Sequence, residues 1–305
     1  MFSKLTLLLF LLMSVGTNLF GQVCATVPEP AATEEQKLKL QKAFSNYQQN
    51  NDNADNIIWY GRHLGYNGEY AQAIDIFDQG IEKFPRDARM YRHRGHRYLT
   101  VRCFDKAIAD FEKAAKLVRN KPDEIEPDGM PNAKNIPTST LQTNIYYHLG
   151  LAYFFKNNIP KAEAAFRACL ELSKNDDMKI ATANWLNLIL QAQGKKEEAK
   201  QLWQSLPQEP NLIENFDYWL LLRLYYVDKP TTKEQMQSYL DELNTQRRTI
   251  LSAATTAFGI GYYCKLNNLN EQAEELFEKV LSSGQWASFG FIAAETTKRK
   301  IKPWV

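Results

Sequence analysis

The sequence has 305 residues, of which 44% are hydrophobic and 24% are charged, and its formal net charge is +2. This composition supplies enough apolar material for a globular or solenoid protein with a packed core. The near-neutral charge gives no global reason to expect binding to nucleic acid or to an acidic membrane surface.

The first stretch of the chain, residues 1–25, has the pattern of a secretory signal peptide. Lys4 supplies a short positive region, and Leu5–Val15 is an almost continuous apolar run. This run is shorter than the ~20 residues that a membrane span needs, so we expect cleavage and no integral membrane span in the mature chain. Cleavage follows either Gly21 or Ala25. We therefore expect an exported protein, periplasmic or secreted, with association with the outer membrane left open.

The four cysteines do not predict a disulfide framework, because their spacings match no such pattern and the sequence has no C-x-x-C motif. Cys169 and Cys264 fall at expected core positions, where a buried cysteine packs as a small hydrophobic residue. Cys103 lies near an expected turn between helices. Cys24 leaves lipidation open as an alternative to simple cleavage of the signal peptide.

The next segment, residues 26–53, is expected to form a linker and a capping helix. Thr26–Ala32 is rich in proline and alanine, which predicts a disordered stretch. Thr33 is expected to begin a helix, since Glu34 and Glu35 place negative charge in its first turn, where the helix dipole favours it. This helix can cover the exposed end of the structure that follows.

Two successive helical hairpins are predicted in residues 54–119. Their equivalent positions lie 34 residues apart: Gly61 and Gly95, Leu64 and Tyr98, Ala73 and Ala107, and Phe77 and Phe111. The glycine and alanine positions allow the two helices of a hairpin to approach closely. Because one hairpin cannot bury its apolar stripe alone, neighbouring hairpins must stack.

An insertion, residues 120–142, separates the second hairpin from the third. It contains four of the 12 prolines of the chain and is acidic, which predicts a largely extended loop. A loop of this length in a compact protein is usually functional or disordered. Three interpretations therefore stay open: a lid, an internal ligand, or a disordered loop.

Four more hairpins are predicted in residues 143–286. They begin 37 residues apart, at Thr143, Ile180, Asp217 and Ala254. The repeats that begin at Ile180 and Asp217 are degenerate, because Asn187 and Leu224 stand at their glycine position. The last segment, residues 287–305, is expected to be a polar-faced C-terminal cap with a basic tail, as a solenoid needs for solubility.

The hairpins resemble the tetratricopeptide repeat (TPR), whose pattern is W-x2-L-G-x2-Y, then A-x3-F, then P. The second hairpin has Tyr91 at the Trp position, followed by Gly95, Tyr98, Ala107 and Phe111. The resemblance implies an all-α fold: a right-handed superhelical solenoid of about six stacked helical hairpins with capping helices. It also implies a binding protein rather than an enzyme.

In that family, one stripe of each first helix faces a concave groove. The matching positions here predict a groove that is basic at its N-terminal end and aromatic beyond. The predicted binding residues are Arg62, Arg89, Arg92, His96, Tyr147, Phe154, Tyr225 and Tyr262. The acidic insertion is close to the basic end in sequence, so it is a candidate internal ligand for the arginines.

No catalytic motif, metal-ligand spacing or phosphate-binding loop is present, so we expect no enzyme activity, no cofactor and no metal. The function that the resemblance implies is an exported protein–protein interaction scaffold that binds a peptide or protein segment in its concave groove. An acidic segment is the first candidate for the partner. The alternative is a carbohydrate-binding or cell-envelope assembly module that uses the groove aromatics.

Overall fold

A computed structural model describes residues 24–29, 31–245 and 250–299 of the chain. Within these ranges, the regular structure is helical. The helices are α1 (Glu34–Gln49), α2 (Ala54–Tyr66), α3 (Tyr70–Lys83), α4 (Ala88–Thr100), α5 (Phe104–Val118), α6 (Leu141–Phe155), α7 (Ile159–Leu172), α8 (Asp176–Ala192), α9 (Lys196–Ser205), α10 (Phe216–Arg223), α11 (Lys233–Thr245), α12 (Ile250–Leu266), α13 (Asn270–Leu281) and α14 (Phe289–Arg299). The predicted signal peptide lies outside the described residues except for its last two positions, and so does the end of the basic tail.

Successive helices pair as hairpins, which confirms the predicted all-helical solenoid. Helices α2 and α3, α4 and α5, α6 and α7, and α12 and α13 pack against each other. The first helices also contact their neighbours, α2 with α4 and α4 with α6, and together they form a surface that we call the inner face.

The close approach within a hairpin depends on the glycine of its first helix. A Cβ atom added at Gly61 would lie 2.6 Å from Phe77 Cζ, and one at Gly150 would lie 2.8 Å from Phe166 Cζ. Both phenylalanine rings are fully buried. A larger residue at either glycine would therefore push the aromatic ring of the second helix out of its place.

Side-chain caps determine where several helices begin. Thr33 makes a capping box with Gln36 at the start of α1, which matches the expected start of the capping helix. Helix α6 begins at Leu141, earlier than the predicted repeat boundary, because Thr140 makes a second capping box. Helix α8 also begins earlier than predicted, since the Asn175 side chain accepts a hydrogen bond from the Met178 N–H.

The degenerate fifth hairpin departs from regular helix. Its first helix, α10, continues into a π-helical turn, Leu224–Asp228, and ends at Lys229 with a positive φ of 43°. The segment before α10 is held by the buried Asp177 carboxylate. Three consecutive backbone N–H groups donate to it at 2.9 Å, those of Ile213, Glu214 and Asn215.

The C-terminal helix α14 contacts more than the last hairpin, which an end cap alone would cover. Ile292, Ala293 and Ala294 are fully buried, and α14 packs against α6, α12 and α13. Its apolar face turns back towards the early repeats and closes part of the inner face. Arg102, at the turn after α4, donates from Nε to Glu295 Oε2 at 2.9 Å, and its guanidinium lies 3.8 Å from the ring centroid of Trp286.

A disulfide joins Cys24 to Cys103, a single bond that the cysteine spacings did not predict. The two cysteines are 79 residues apart, and such a pairing cannot be read from local spacing. The Cys24 N–H also donates to the Val101 carbonyl at 3.1 Å. The bond fixes the N-terminal segment to the turn between α4 and α5 and leaves no free Cys24 thiol for a lipid. Cys169 and Cys264 are buried free thiols.

None of the helices in the described part of the chain combines the length and the apolar character needed to cross a lipid bilayer.

Candidate functional site

Two adjoining cavities lie against the inner face. The larger has a volume of about 630 Å³, and the smaller has a volume of about 330 Å³. Four residues from different parts of the chain line both cavities: Tyr66, Met130, Tyr218 and Phe289. The two spaces are therefore neighbouring parts of one candidate site.

The walls of the larger cavity come from the two ends of the chain and from α2 and α4. The N-terminal segment contributes Pro28, Glu29, Ala31 and Ala32, and the stretch before α14 contributes Trp286, Ala287 and Ser288. Helix α4 contributes His96, Arg97 and Thr100. The Cys24–Cys103 disulfide holds the N-terminal wall close to α4.

The smaller cavity contains a cluster of charged side chains, at the end of the groove that the sequence predicted to be basic. Arg92 Nη2 lies 2.9 Å from Glu126 Oε1, and both side chains are more than nine-tenths buried. Arg62 Nη2 donates to the Pro127 carbonyl at 2.9 Å. The acidic insertion thus contacts both arginines, one through a carboxylate and one through a backbone oxygen.

The ion pair between Arg92 and Glu126 uses only part of the bonding capacity of the two groups. Within the described residues, Arg92 Nε and Glu126 Oε2 are buried without hydrogen-bond partners. Burial lowers the pKa of Arg92, and the nearby positive charge of Arg62 adds to this effect against the opposing charge of Glu126. A guanidinium and a carboxylate can form two parallel hydrogen bonds, which this pair does not make.

The histidines at the site add no positive charge at neutral pH. The ring centroids of His96 and His148 are 4.5 Å apart. Burial and the nearby positive charge of Arg92 together lower the pKa of His148 to about 3. Burial also holds the pKa of His96 well below its usual value, helped by Arg97. The positive charge of the site therefore comes from arginine.

The insertion is anchored at both sides of Glu126. Asp123 accepts hydrogen bonds from Thr140 Oγ1 at 2.6 Å and from the Gln142 N–H at 3.0 Å. Glu214 accepts hydrogen bonds from Thr138 and Asn132. Between these anchors the insertion exposes three large apolar side chains: Ile125, Met130 and Ile136. The loop is thus ordered by contacts at its base while its outer side chains remain available for contact.

Half of the predicted binding residues line the two cavities: Arg62, Arg92, His96 and Tyr147. Arg89 lines neither cavity, and its guanidinium binds Asp87 and Asp55 at 2.6 and 2.7 Å. Tyr147 Oη accepts a hydrogen bond from Trp185 Nε1 at 2.9 Å, so it is held in a fixed position.

The predicted aromatic part of the groove is largely core. Phe154 and Tyr262 are buried beside Trp185 and Phe258, which corrects the expectation that they face an open groove. The reason is that the inward stripe of α6 and α12 is covered by the helices that close the solenoid. Tyr225 lines a separate pocket of about 440 Å³.

The Trp203 ring of that pocket is stacked on two other aromatic rings. The Trp203 ring stacks on Trp219 and on Tyr226, each at a centroid distance of 5.0 Å. Its ring surface is therefore already used in protein contacts. Residues that the sequence analysis did not single out for the inner face are Arg97, Glu214 and Phe289, since they belong to no predicted groove stripe.

A family model for the TPR repeats of Integrator complex subunit 8 matches residues 91–199, which is less than half of the chain. No curated protein sequence matches the chain significantly. The matched range contains the regular second and third hairpins, where the repeat pattern is clearest.

Three solved structures are similar to this chain. The TPR protein YrrB, which has an unusual peptide-binding site, shows 16% identity and a TM-score of 0.41, with 85% of this chain and 99% of that chain covered. The APC/C hetero-tetramer Cut9–Hcn1 shows 12% identity and a TM-score of 0.50, with 88% and 44% covered. Naa15/Naa10 bound to HypK-THB shows 15% identity and a TM-score of 0.38, with 86% and 36% covered.

The present chain spans less than half the length of the Cut9–Hcn1 and Naa15/Naa10 chains. At these identities the likeness establishes the fold alone. The family model and the Cut9–Hcn1 fold together support a tetratricopeptide repeat architecture.

Proposed function

We propose that this chain is a non-enzymatic scaffold that binds an acidic segment of a partner protein on its inner face. The observation behind this proposal is the contact between Arg92 and Glu126 at 2.9 Å, in which a loop of the chain already places a carboxylate on the inner face. In our proposal the insertion occupies part of the binding site and the partner displaces it.

The bonding at the ion pair favours such an exchange. Arg92 Nε and Glu126 Oε2 are buried without partners in the described structure. A partner carboxylate that pairs with Arg92 through two oxygens would satisfy the guanidinium better than Glu126 does. Released Glu126 would return to water and recover its hydration.

The exposed side of the insertion gives the partner a second contact. Ile125 and Met130 are 72% and 64% exposed, which is unusual for large apolar side chains. A partner that covers them would gain apolar burial while its acidic segment enters beside Arg62 and Arg92. The proposed partner is therefore a protein segment that combines acidic and apolar residues.

The location that we propose is outside the cytoplasm, either periplasmic or secreted. The signal-peptide pattern at the N-terminus supports it, and so does the Cys24–Cys103 disulfide, because such bonds persist mainly in oxidising compartments. Of the two expected cleavage positions, the one after Gly21 keeps Cys24 in the mature chain, so we propose cleavage there. Cell fractionation with mass spectrometry of the mature N-terminus tests this. A full-length cytoplasmic product would rule it out.

Capture of partner proteins on immobilised wild-type chain and variants tests the binding proposal. Glu126→Gln keeps the shape of the insertion but removes its charge, so it should capture more partner than the wild type. Glu124→Gln, an exposed change in the same loop, is the matched control and should leave capture unchanged. Arg62→Gln with Arg92→Gln should reduce capture, and the same set of proteins at the same level would refute the proposal.

A further inference from the structure

The larger cavity contains a buried guanidinium without an acidic partner. Arg97 is 8% exposed and lines this cavity from α4. Its side chain packs directly on the backbone of Gly65, since a Cβ atom added there would collide with Arg97 Nη1 and Cδ. The guanidinium is thus held against the wall of the cavity by the fit of α4 on α2.

The other arginines of α4 and of the turn after it each have a carboxylate. Arg92 binds Glu126, Arg94 binds Asp78 and Asp110, and Arg102 binds Glu295. Among the residues that the structure describes, no side chain or carbonyl accepts a hydrogen bond from the guanidinium of Arg97.

The surroundings of Arg97 increase the cost of its charge. Burial lowers the pKa of Arg97; Tyr66 and Tyr70 oppose this effect, and the positive charges of Arg92 and Arg62 add to it by smaller amounts. A guanidinium that is 8% exposed and has no counter-ion has lost most of its hydration without gaining an anion, which is unfavourable. An anion that enters the cavity would remove this cost.

The cavity also indicates the kind of anion. Its walls are mainly apolar or weakly polar around Arg97, with Ala31, Ala32, Ala287 and Trp286 among them. Glu29 is the acid among the lining residues, and it is exposed on the N-terminal segment. The planar fork of a single guanidinium matches a carboxylate through two parallel hydrogen bonds.

We propose that Arg97 binds the carboxylate of a ligand that enters the 630 Å³ cavity with a small apolar group attached to that carboxylate. This deepens the proposed function, on which it rests, because the ligand is then part of the partner segment. The carboxylate comes either from the C-terminus of that segment or from an acidic side chain within it.

Three small probes separate these sources. N-acetyl-alanine has only an α-carboxylate, N-acetyl-glutamic acid α-amide has only a side-chain carboxylate, and N-acetyl-alaninamide has no charge. The wild-type chain should melt at a higher temperature with at least one of the two carboxylates at millimolar concentration and be unaffected by the neutral amide. The better carboxylate identifies the source.

The decisive variant is Arg97→Met, which keeps an apolar stem on Gly65 and removes the charge. Without ligand it should melt about 2 °C or more above the wild type, because an unpaired buried cation is gone. It should show no response to either carboxylate. Arg89→Met removes a charge that lines neither cavity and should respond as the wild type does. Glu29→Gln should also respond as the wild type does.

The side-chain Nε resonance of Arg97 gives a direct readout. It is assigned by its loss in Arg97→Met and should shift with the carboxylate probes and not with the amide. A wild type that ignores both carboxylates, or an Arg97→Met variant that still responds, would overturn the inference.

The partner-capture assay on the same proteins separates this inference from the proposed function. If the wild type captures a partner but neither carboxylate moves the Arg97 resonance, the Arg97 site is wrong and the scaffold proposal stands. If the carboxylates bind through Arg97 and no partner is captured, the anion site stands and the scaffold proposal is wrong.

Discussion

Breaking the Cys24–Cys103 disulfide should destabilise the N-terminal half of the molecule and loosen one wall of the larger cavity. The bond joins residues 79 apart, and the loop that it closes contains α1, α2, α3 and α4. Chain-entropy arithmetic for a loop of this length gives about 4.5 kcal/mol at 25 °C. This is an upper value, because the short N-terminal segment can detach from the turn after α4 while the hairpins stay folded.

Urea unfolding followed by circular dichroism measures the global part of this effect. The variant Cys24→Ser with Cys103→Ser should unfold at a lower urea concentration than the oxidised wild type. The wild type in dithiothreitol should match the variant, and the variant itself should not respond to dithiothreitol. This internal control separates loss of the disulfide from any other effect of the two serines.

Hydrogen exchange measures the local effect of breaking the disulfide. Protection should fall first in α1 and at the turn between α4 and α5, and α12 and α13 should keep theirs, because contacts in a solenoid are between neighbours. The reasoning would be refuted if mass spectrometry shows the bond intact and yet oxidised and reduced chains unfold at the same urea concentration.

Three further outcomes are expected. Phe111→Ala removes a fully buried ring, so it should lower the free energy of unfolding by about 3–5 kcal/mol. It should weaken hydrogen-exchange protection in α4 to α7 more than in α13, and an equal loss of protection in all helices would contradict stacking of neighbours. Arg92→Met should cost about 3–5 kcal/mol in urea unfolding because it leaves Glu126 buried and unpaired, and adding Glu126→Met should recover most of that loss; a double variant as unstable as the single one would contradict this. Burial lowers the pKa of His148 from 6.5 to about 3, so the unfolded chain takes up the proton first and stability should fall from pH 7 to pH 5. His148→Gln should reduce this slope, and equal slopes would argue against a buried neutral imidazole.

The hairpins could be predicted from the sequence because their packing is local. Gly61 lies against Phe77, and the same pair recurs one repeat later as Gly95 and Phe111. The two residues of each pair are only 16 positions apart in the chain, so their spacing repeats with the hairpin. Local periodicity of this kind reports contacts within a hairpin and between neighbours.

The closure of the inner face could not be predicted in the same way. The pairing of Arg102 with Glu295 joins residues 193 apart, and it depends on the curvature that builds up over all the intervening hairpins. The degenerate fifth hairpin, with its π-helical turn at Leu224–Asp228, contributes to that curvature without following the repeat pattern. The predicted groove positions of Phe154 and Tyr262 rest on their helix positions alone, which do not account for this closure.

The sequence predicted the positive charge of the candidate site but not which carboxylate pairs with which arginine. Arg62 and Arg92 are at predicted groove positions and do line the smaller cavity. The insertion contains several acidic residues, and Glu126 is the one that reaches Arg92. This choice depends on how Asp123 and Glu214 anchor the loop. Such anchoring involves three separate segments, and no local pattern encodes it.

The two cavities explain why exchange of the insertion and binding at Arg97 would be coupled. Tyr66 and Met130 line both cavities, so a segment that reaches Arg97 from the smaller cavity must pass them and approach Arg92. Arg62, Arg92 and Arg97 repel each other, and of these three only Arg92 has a carboxylate from the insertion. A ligand carboxylate at Arg97 reduces this repulsion and so weakens the need for Glu126 at Arg92. By linkage, the loss of Glu126 from Arg92 must in turn strengthen binding at Arg97.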